Sequence, residues 1–274
     1  MITVVAAMRQ ESENLKLEAC RRLMAQSAFG RKLLAIASEM DIPVTCDRRE
    51  QELARFNRNC IFYNAKASAA ALAAGIAHEI IHAWQERNGF WPDESLSPED
   101  AILAVRLTEA IAQTGSLIMC RELELAGWTE PMRVHEGMGY GAQVNALRET
   151  ASPEKTFLAW FDVDWCLNRY DSQTILDLMD REDELRSAKE RGFTPMTQAV
   201  LAGMCSLPGR SPCIDTGLVR AGASVFSGNM SPGNAALLGR LERSLRGERP
   251  SQAEEEAEWR RAQAFAPSVY ALRR

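Results

Sequence analysis

Two histidines four residues apart with a glutamate beside the first, His78-Glu79-Ile80-Ile81-His82, are the side chains best spaced to do chemistry in this sequence. On a helix, residues i and i+4 are neighbours, so both imidazoles would project from one face. Neutral imidazole ligates zinc, and a glutamate next to the first ligand can reach a metal-bound water as its general base. Histidine is scarce here, the chain holding three in all. The setting is equally selective. From Ser68 to Gln85 the only formally charged residue is Glu79, set between Ala69-Ala-Ala-Leu-Ala-Ala-Gly-Ile-Ala77 and Ile80-Ile81. An acid inside so apolar a helix is costly to bury unless it has a partner.

A catalytic zinc typically takes three protein ligands and keeps one position for water, so a third ligand is required. Between Ala101 and Cys120 the only formally charged residues are Arg106 and Glu109, which again places one acid in an apolar helix and makes Glu109 the expected ligand. The competing reading is an i, i+3 ion pair between Arg106 and Glu109. His135 and Tyr140 lie further on, in Val134-His-Glu-Gly-Met-Gly-Tyr140. Either could close the site or donate a hydrogen bond to a developing oxyanion, and both are carried as candidate catalytic residues. Gly75, three residues before His78 on the same stripe, leaves room for a ligand or for a packed element.

The elements that must position these groups are mostly helical. Glu11–Met40 reads as two helices broken at Gly30, and Ile42–Cys46 and Cys60–Tyr63 as small strands separated by a polar stretch from Asp47 to Asn59. If the second strand is an exposed sheet edge, it could pair with an extended peptide. Ser68 is the expected N-cap of a helix over Ala69–Arg87, stopped by Asn88-Gly89. Ser97-Pro98-Glu99-Asp100 opens a longer helix that ends near Gly127. Gly127–Gly141 reads as mostly loop, Pro153–Cys166 and Ser172–Arg191 as helices, Thr194-Pro195 as the start of a short helix, and Asn234–Arg246 as a late one. The expected fold class is α+β, predominantly helical, with a small sheet packed on the His78–His82 helix.

Composition sets outer bounds. The chain has 274 residues, 46% hydrophobic and 25% charged, which excludes disorder throughout. A formal net charge of −5 gives no reason to expect nucleic acid or an anionic membrane as partner. No apolar run in the sequence approaches the roughly 18 to 20 residues of a membrane span, and no basic residue precedes the short apolar N-terminal patch, so a cytoplasmic location is expected. Seven scattered cysteines without a C-x-x-C pair fit reduced thiols. Residues 1–206 are expected to form one domain, and 207–274 a Gly/Pro-rich segment with a charged helical extension that includes Glu254–Glu258 and Arg260-Arg261.

The helix with His78, Glu79 and His82, followed on a second helix by Glu109, resembles a zincin metallopeptidase of the glutamate-ligand (gluzincin) kind. The longer metzincin motif would need Gly and His where Gln85 and Asn88 stand. More narrowly, Ala77–Gln85, Arg106–Ala112, Arg121–Gly127, Phe157–Phe161, Tyr170-Asp171 and Leu207–Gly209 resemble an uncharacterised bacterial metallopeptidase family over about residues 60 to 215. The resemblance implies a zincin-like fold, one Zn²⁺ per chain on His78, His82 and Glu109, and hydrolysis of a peptide or protein substrate by a metal-activated water with Glu79 as base. Two departures from thermolysin-like enzymes stand out. Gln113 takes the place of an aspartate that orients a ligand histidine, and 26 residues separate His82 from Glu109, a longer interval than in those enzymes. Two alternatives remain open: a catalytically silent binding or interaction protein on the same fold, and an effector protease secreted by a route without a cleaved signal to act on a host protein.

Overall fold

The computed structural model describes residues 2–57, 59–92, 95–215 and 230–248. The chain divides into two compact units that interleave along the sequence. The first takes in 1–90, 108–162 and 205–213, the second 91–107, 163–204 and 214 onward. The expected charged run from Glu254 to Arg261 lies outside the described residues.

In the first unit, α1 (Ile2–Met24) and α2 (Ala28–Glu39) precede a three-stranded sheet made of β1 (Val44–Asp47), β2 (Ala54–Asn57) and β3 (Cys60–Asn64). The order is β1-β3-β2, with β1 parallel to β3 (Val44 beside Ile61) and β2 antiparallel to it (Ala54 beside Tyr63). β3 is therefore the central strand, with Ile61 and Tyr63 buried, and cannot offer a free edge to a peptide as the sequence had suggested. β2 falls inside the stretch expected to be a polar connection. Ala54-Arg55-Phe56-Asn57 is too short and too polar to announce itself, and its pairing with β3 makes it a strand.

Against β2, α1 and α2 packs α3 (Ala69–Arg87), the hub of the unit. Ser68 caps it as expected, its hydroxyl accepting from the Ala71 N–H at 3.1 Å. Twelve of its residues are buried, which an alanine-rich sequence permits because small side chains let neighbours approach from several sides. Gly75 is one such approach: a methyl there would come within 2.8 Å of Leu53 and 3.3 Å of the Ala54 nitrogen, so the missing side chain serves packing against β2.

α4 (Pro98–Leu125) begins at Ser97, whose hydroxyl accepts from the Asp100 N–H, and contributes its residues from 108 onward to the first unit. An 18-residue window of α4 reaches a mean hydropathy of 1.2, enough by length and composition to cross a membrane, although 83% of that window is buried in the protein. The window qualifies because charges are so few along it. Gly115 brings α4 up against Ile81 of α3 and against Leu207, both within contact distance of an added methyl.

Beyond α4, residues 130–137 form α5 (Glu130–Gly137), where loop was expected. Pro131 at its start suits an N-terminal turn, and Met132 and His135 are buried; tertiary burial overrides the local glycines. α6 (Gly141–Thr150), α7 (Pro153–Ala159) and a 3₁₀ turn (Trp160–Asp162) complete the unit. In the second unit, α8 (Asp164–Asp180) runs through the break expected after Cys166, and α9 (Glu182–Arg191), α10 (Gln198–Met204) and α11 (Pro232–Leu245) follow. α11 docks on α8 through Asn234, whose side chain accepts from Ser172 at 2.7 Å and donates to the Asn168 carbonyl. The whole is α+β and predominantly helical.

Candidate metal centre

The spacing of α3 puts His78 and His82 on one face, their rings 4.6 Å apart edge to face and their Nε2 atoms 2.9 Å apart. Glu109 of α4 meets them: its Oε2 lies 3.3 Å from His78 Nε2 and its Oε1 3.4 Å from His82 Nε2. All three groups are largely buried, with side-chain exposures of 14, 5 and 13% for His78, His82 and Glu109. Glu109 Oε2 has no hydrogen-bond partner despite being buried. The Arg106 guanidinium is engaged elsewhere, donating to both carboxylate oxygens of Asp171 on α8 at 2.7 and 2.5 Å. Among the described residues, His78, His82 and Glu109 are the group that could hold a metal ion, with their ligand atoms within 4.8 Å of one another.

The donor set fits a tetrahedral cation. Ligands about 2.0 to 2.2 Å from one centre at tetrahedral angles lie about 3.3 to 3.6 Å apart. Each carboxylate oxygen lies at that distance from one imidazole, Oε2 from His78 and Oε1 from His82, so the carboxylate straddles the pair. The two Nε2 atoms are closer, at a hydrogen-bond separation that requires a proton on one of them. His82 Nδ1 donates to Gln85 Oε1 at 2.9 Å, which leaves the lone pair of neutral His82 on Nε2, facing Glu109 and His78. Gln85, fully buried, passes its own amide hydrogen to the Thr108 carbonyl at the start of this stretch of α4. The orienting partner of a histidine is thus Gln85 on α3, where the sequence pointed to Gln113. A buried amide three residues beyond His82 in an otherwise apolar helix was the available signal, since i and i+3 share a face.

The electrostatics favour positive charge at this point. Burial opposes charge on His82, but the Glu109 carboxylate outweighs it and lifts the imidazole to about 9. Burial likewise works against ionised Glu109, yet His82 and His78 together hold its carboxyl well below the usual range.

Glu79 points to the β2 side of α3. Its Oε2 accepts from the Phe56 backbone N–H at 2.8 Å, so the strand missed in the sequence anchors the candidate base. Burial raises its pKa, and the nearby histidines pull in the opposite direction. His135 and Tyr140 are not among the three converging side chains. His135 is buried on α5, its Nδ1 2.8 Å from Gln113 Nε2 and its Nε2 3.1 Å from Ser116 Oγ, with the Tyr140 ring edge-on at 5.9 Å. Burial pushes the His135 imidazole down to about 3. With both ring nitrogens engaged by protein groups and 3% of the residue exposed, His135 has no open donor for a substrate oxyanion. Tyr140 is 4% exposed, inside the same packed cluster.

Two imidazoles from one helix and a carboxylate from a second, with a glutamate beside the first imidazole, define a candidate metal centre of the kind that serves hydrolysis. The chain belongs to the family described as "Putative metallopeptidase family (DUF6782)", whose sequence profile matches residues 2–212. A peptidase acting on peptides or proteins with a metal's help is the coarse function that this membership carries. No curated protein and no solved structure matches the chain.

Proposed function

We propose that this protein is a zinc-dependent peptidase of zincin type, in which His78, His82 and Glu109 hold one Zn²⁺ and Glu79 is the general base. The observation that carries the reading is the convergence of three largely buried side chains whose ligand atoms lie within 4.8 Å of one another, one of them bearing a carboxylate oxygen without a hydrogen bond. Two nitrogens and one oxygen suit zinc, and a bound zinc would acidify a water and polarise a substrate carbonyl.

The chain's own residues supply the rest. Gln85 fixes the His82 ring so that its Nε2 keeps the lone pair turned to the site. The Phe56 amide holds Glu79 Oε2, which leaves Oε1 to take a proton from the attacking water and return it to the departing amine nitrogen. A burial-raised carboxyl is better suited to carry that proton briefly than an exposed one would be.

The test joins metal content with turnover. About one zinc per chain by elemental mass spectrometry, lost in His78→Ala and in Glu109→Ala, is the expected result. Glu79→Gln should keep the zinc and lower cleavage of a peptide library by roughly a hundredfold to ten-thousandfold, the usual weight of a general acid–base group. Wild-type protein that takes up no metal would sink the reading.

A further inference from the structure

All three histidines of the chain stand where α3 meets α4, and the third is wired into that junction in one consistent way. The Ser116 hydroxyl donates to the Ala74 carbonyl at 2.7 Å, so Ser116 Oγ must accept from the His135 Nε2–H at 3.1 Å. His135 Nδ1 is then bare and accepts from the Gln113 amide at 2.8 Å. Gln113 and Ser116 belong to α4, Ala74 to α3 and His135 to α5.

The two ends of this chain fall on the turns that carry the candidate ligands. By helix geometry, the carbonyl of Ala74 is the one that receives the backbone N–H of His78, four residues on. By the same rule, the N–H of Gln113 is directed at the carbonyl of Glu109. Ser116 makes the direct tie from α4 to α3. The His135 imidazole, by occupying the acceptor side of that hydroxyl and taking the Gln113 amide, keeps the hydroxyl turned to Ala74 and braces the turn beyond the third ligand, through groups that are all buried.

We propose that His135 is a positioning residue for the metal: it fixes the spacing at which Glu109 of α4 faces His78 and His82 of α3, and so sets metal affinity. This rests on the metal reading above. A broken link would let α4 shift against α3 by a few tenths of an ångström, and ligand distances are fixed within about that margin.

The experiment measures zinc affinity by chelator competition on folded full-length protein, together with the visible absorption of the cobalt-substituted form. His135→Leu, which fills the space but severs both hydrogen bonds, should weaken zinc binding about tenfold and alter the cobalt spectrum, at the low end of what outer partners of metal ligands contribute. His135→Gln, with an acceptor and a donor at the end of its side chain, should recover most of the affinity. Ser116→Ala removes the hydroxyl that bonds both Ala74 and His135 and should weaken binding several-fold, which keeps the test available if His135→Leu fails to fold. Wild-type zinc affinity in His135→Leu or in Ser116→Ala overturns the proposal, as does a loss in His135→Gln equal to that in His135→Leu, which would reduce the residue to packing. Absence of zinc binding by the wild type overturns the metal reading itself and this inference with it, an outcome distinct from wild-type-like variants.

Discussion

Three residues apart on α4, the protein solves the same problem in two ways. Arg106, in the second unit, is 1% exposed and so is its partner Asp171, and the guanidinium fork meets both carboxylate oxygens. Glu109, in the first, faces two imidazoles at 3.3 and 3.4 Å, with one oxygen left without a hydrogen bond. The first cluster is closed: opposite charges matched in geometry, with little left for an added cation to gain. The second is open, an excess of electron pairs gathered at one point. Burial alone does not tell structure from function; the balance of donors and acceptors does.

The largest effect should come from breaking the closed cluster. Arg106→Met strands a buried carboxylate and is expected to cost about 3 to 5 kcal/mol in denaturant unfolding, while Arg106→Met with Asp171→Leu should return to wild-type stability or exceed it. If the single variant costs no more than an exposed ion pair, the cluster is not closed as described. At the open cluster the sign reverses, because adding a cation should stabilise. Zinc at a hundredfold excess over its dissociation constant is expected to raise unfolding free energy by about 2.7 kcal/mol in wild type and by nothing measurable in Glu109→Ala, read by thermal melts with and without chelator. A shift that persists in Glu109→Ala would place the metal elsewhere.

Smaller still is the effect of the amide behind His82. Gln85→Leu keeps the volume but releases the ring tautomer, and zinc affinity should fall about tenfold, with Glu79-dependent cleavage falling in proportion at limiting zinc. The smallest effect sharpens the comparison with an ion-paired carboxylate near the end of the same helix. The hydrogen bond from Arg148, with help from Arg121, holds the Glu124 carboxyl below its ordinary range. A depressed carboxyl stabilises the fold above its unfolded value, about 4.3, and loses that contribution as pH falls through the folded value. Glu124→Gln should therefore lower stability slightly at neutral pH and flatten the acid limb below about pH 4, where variant and wild type converge.

What was legible in the sequence follows from the range of the interactions involved. The pair His78 and His82, the cap at Ser68 and the start at Ser97-Pro98 are local, governed by helical spacing, and appear where spacing put them. The meeting of Glu109 with the two histidines was inferred from a lone acid in an apolar helix, a longer-range argument that the donor distances now support. β2 escaped because a four-residue strand draws its existence from its partner, and with it went the anchor of Glu79 on Phe56. α5 escaped because its glycines and proline read as loop while its buried Met132 and His135 hold it helical. The bonding of Gln113 to His135 depends on how α5 folds over α4, which no spacing rule encodes.

At Gly115 the space for a methyl group is taken by Ile81, the neighbour of His82, and by Leu207. The seam beside the three-donor group is thus filled through an absence: one hydrogen atom in place of a side chain leaves room for the ends of its neighbours. Alanine there would have to push aside the tips of two flexible side chains, a change small in volume but set in the seam where the two helices lean on each other.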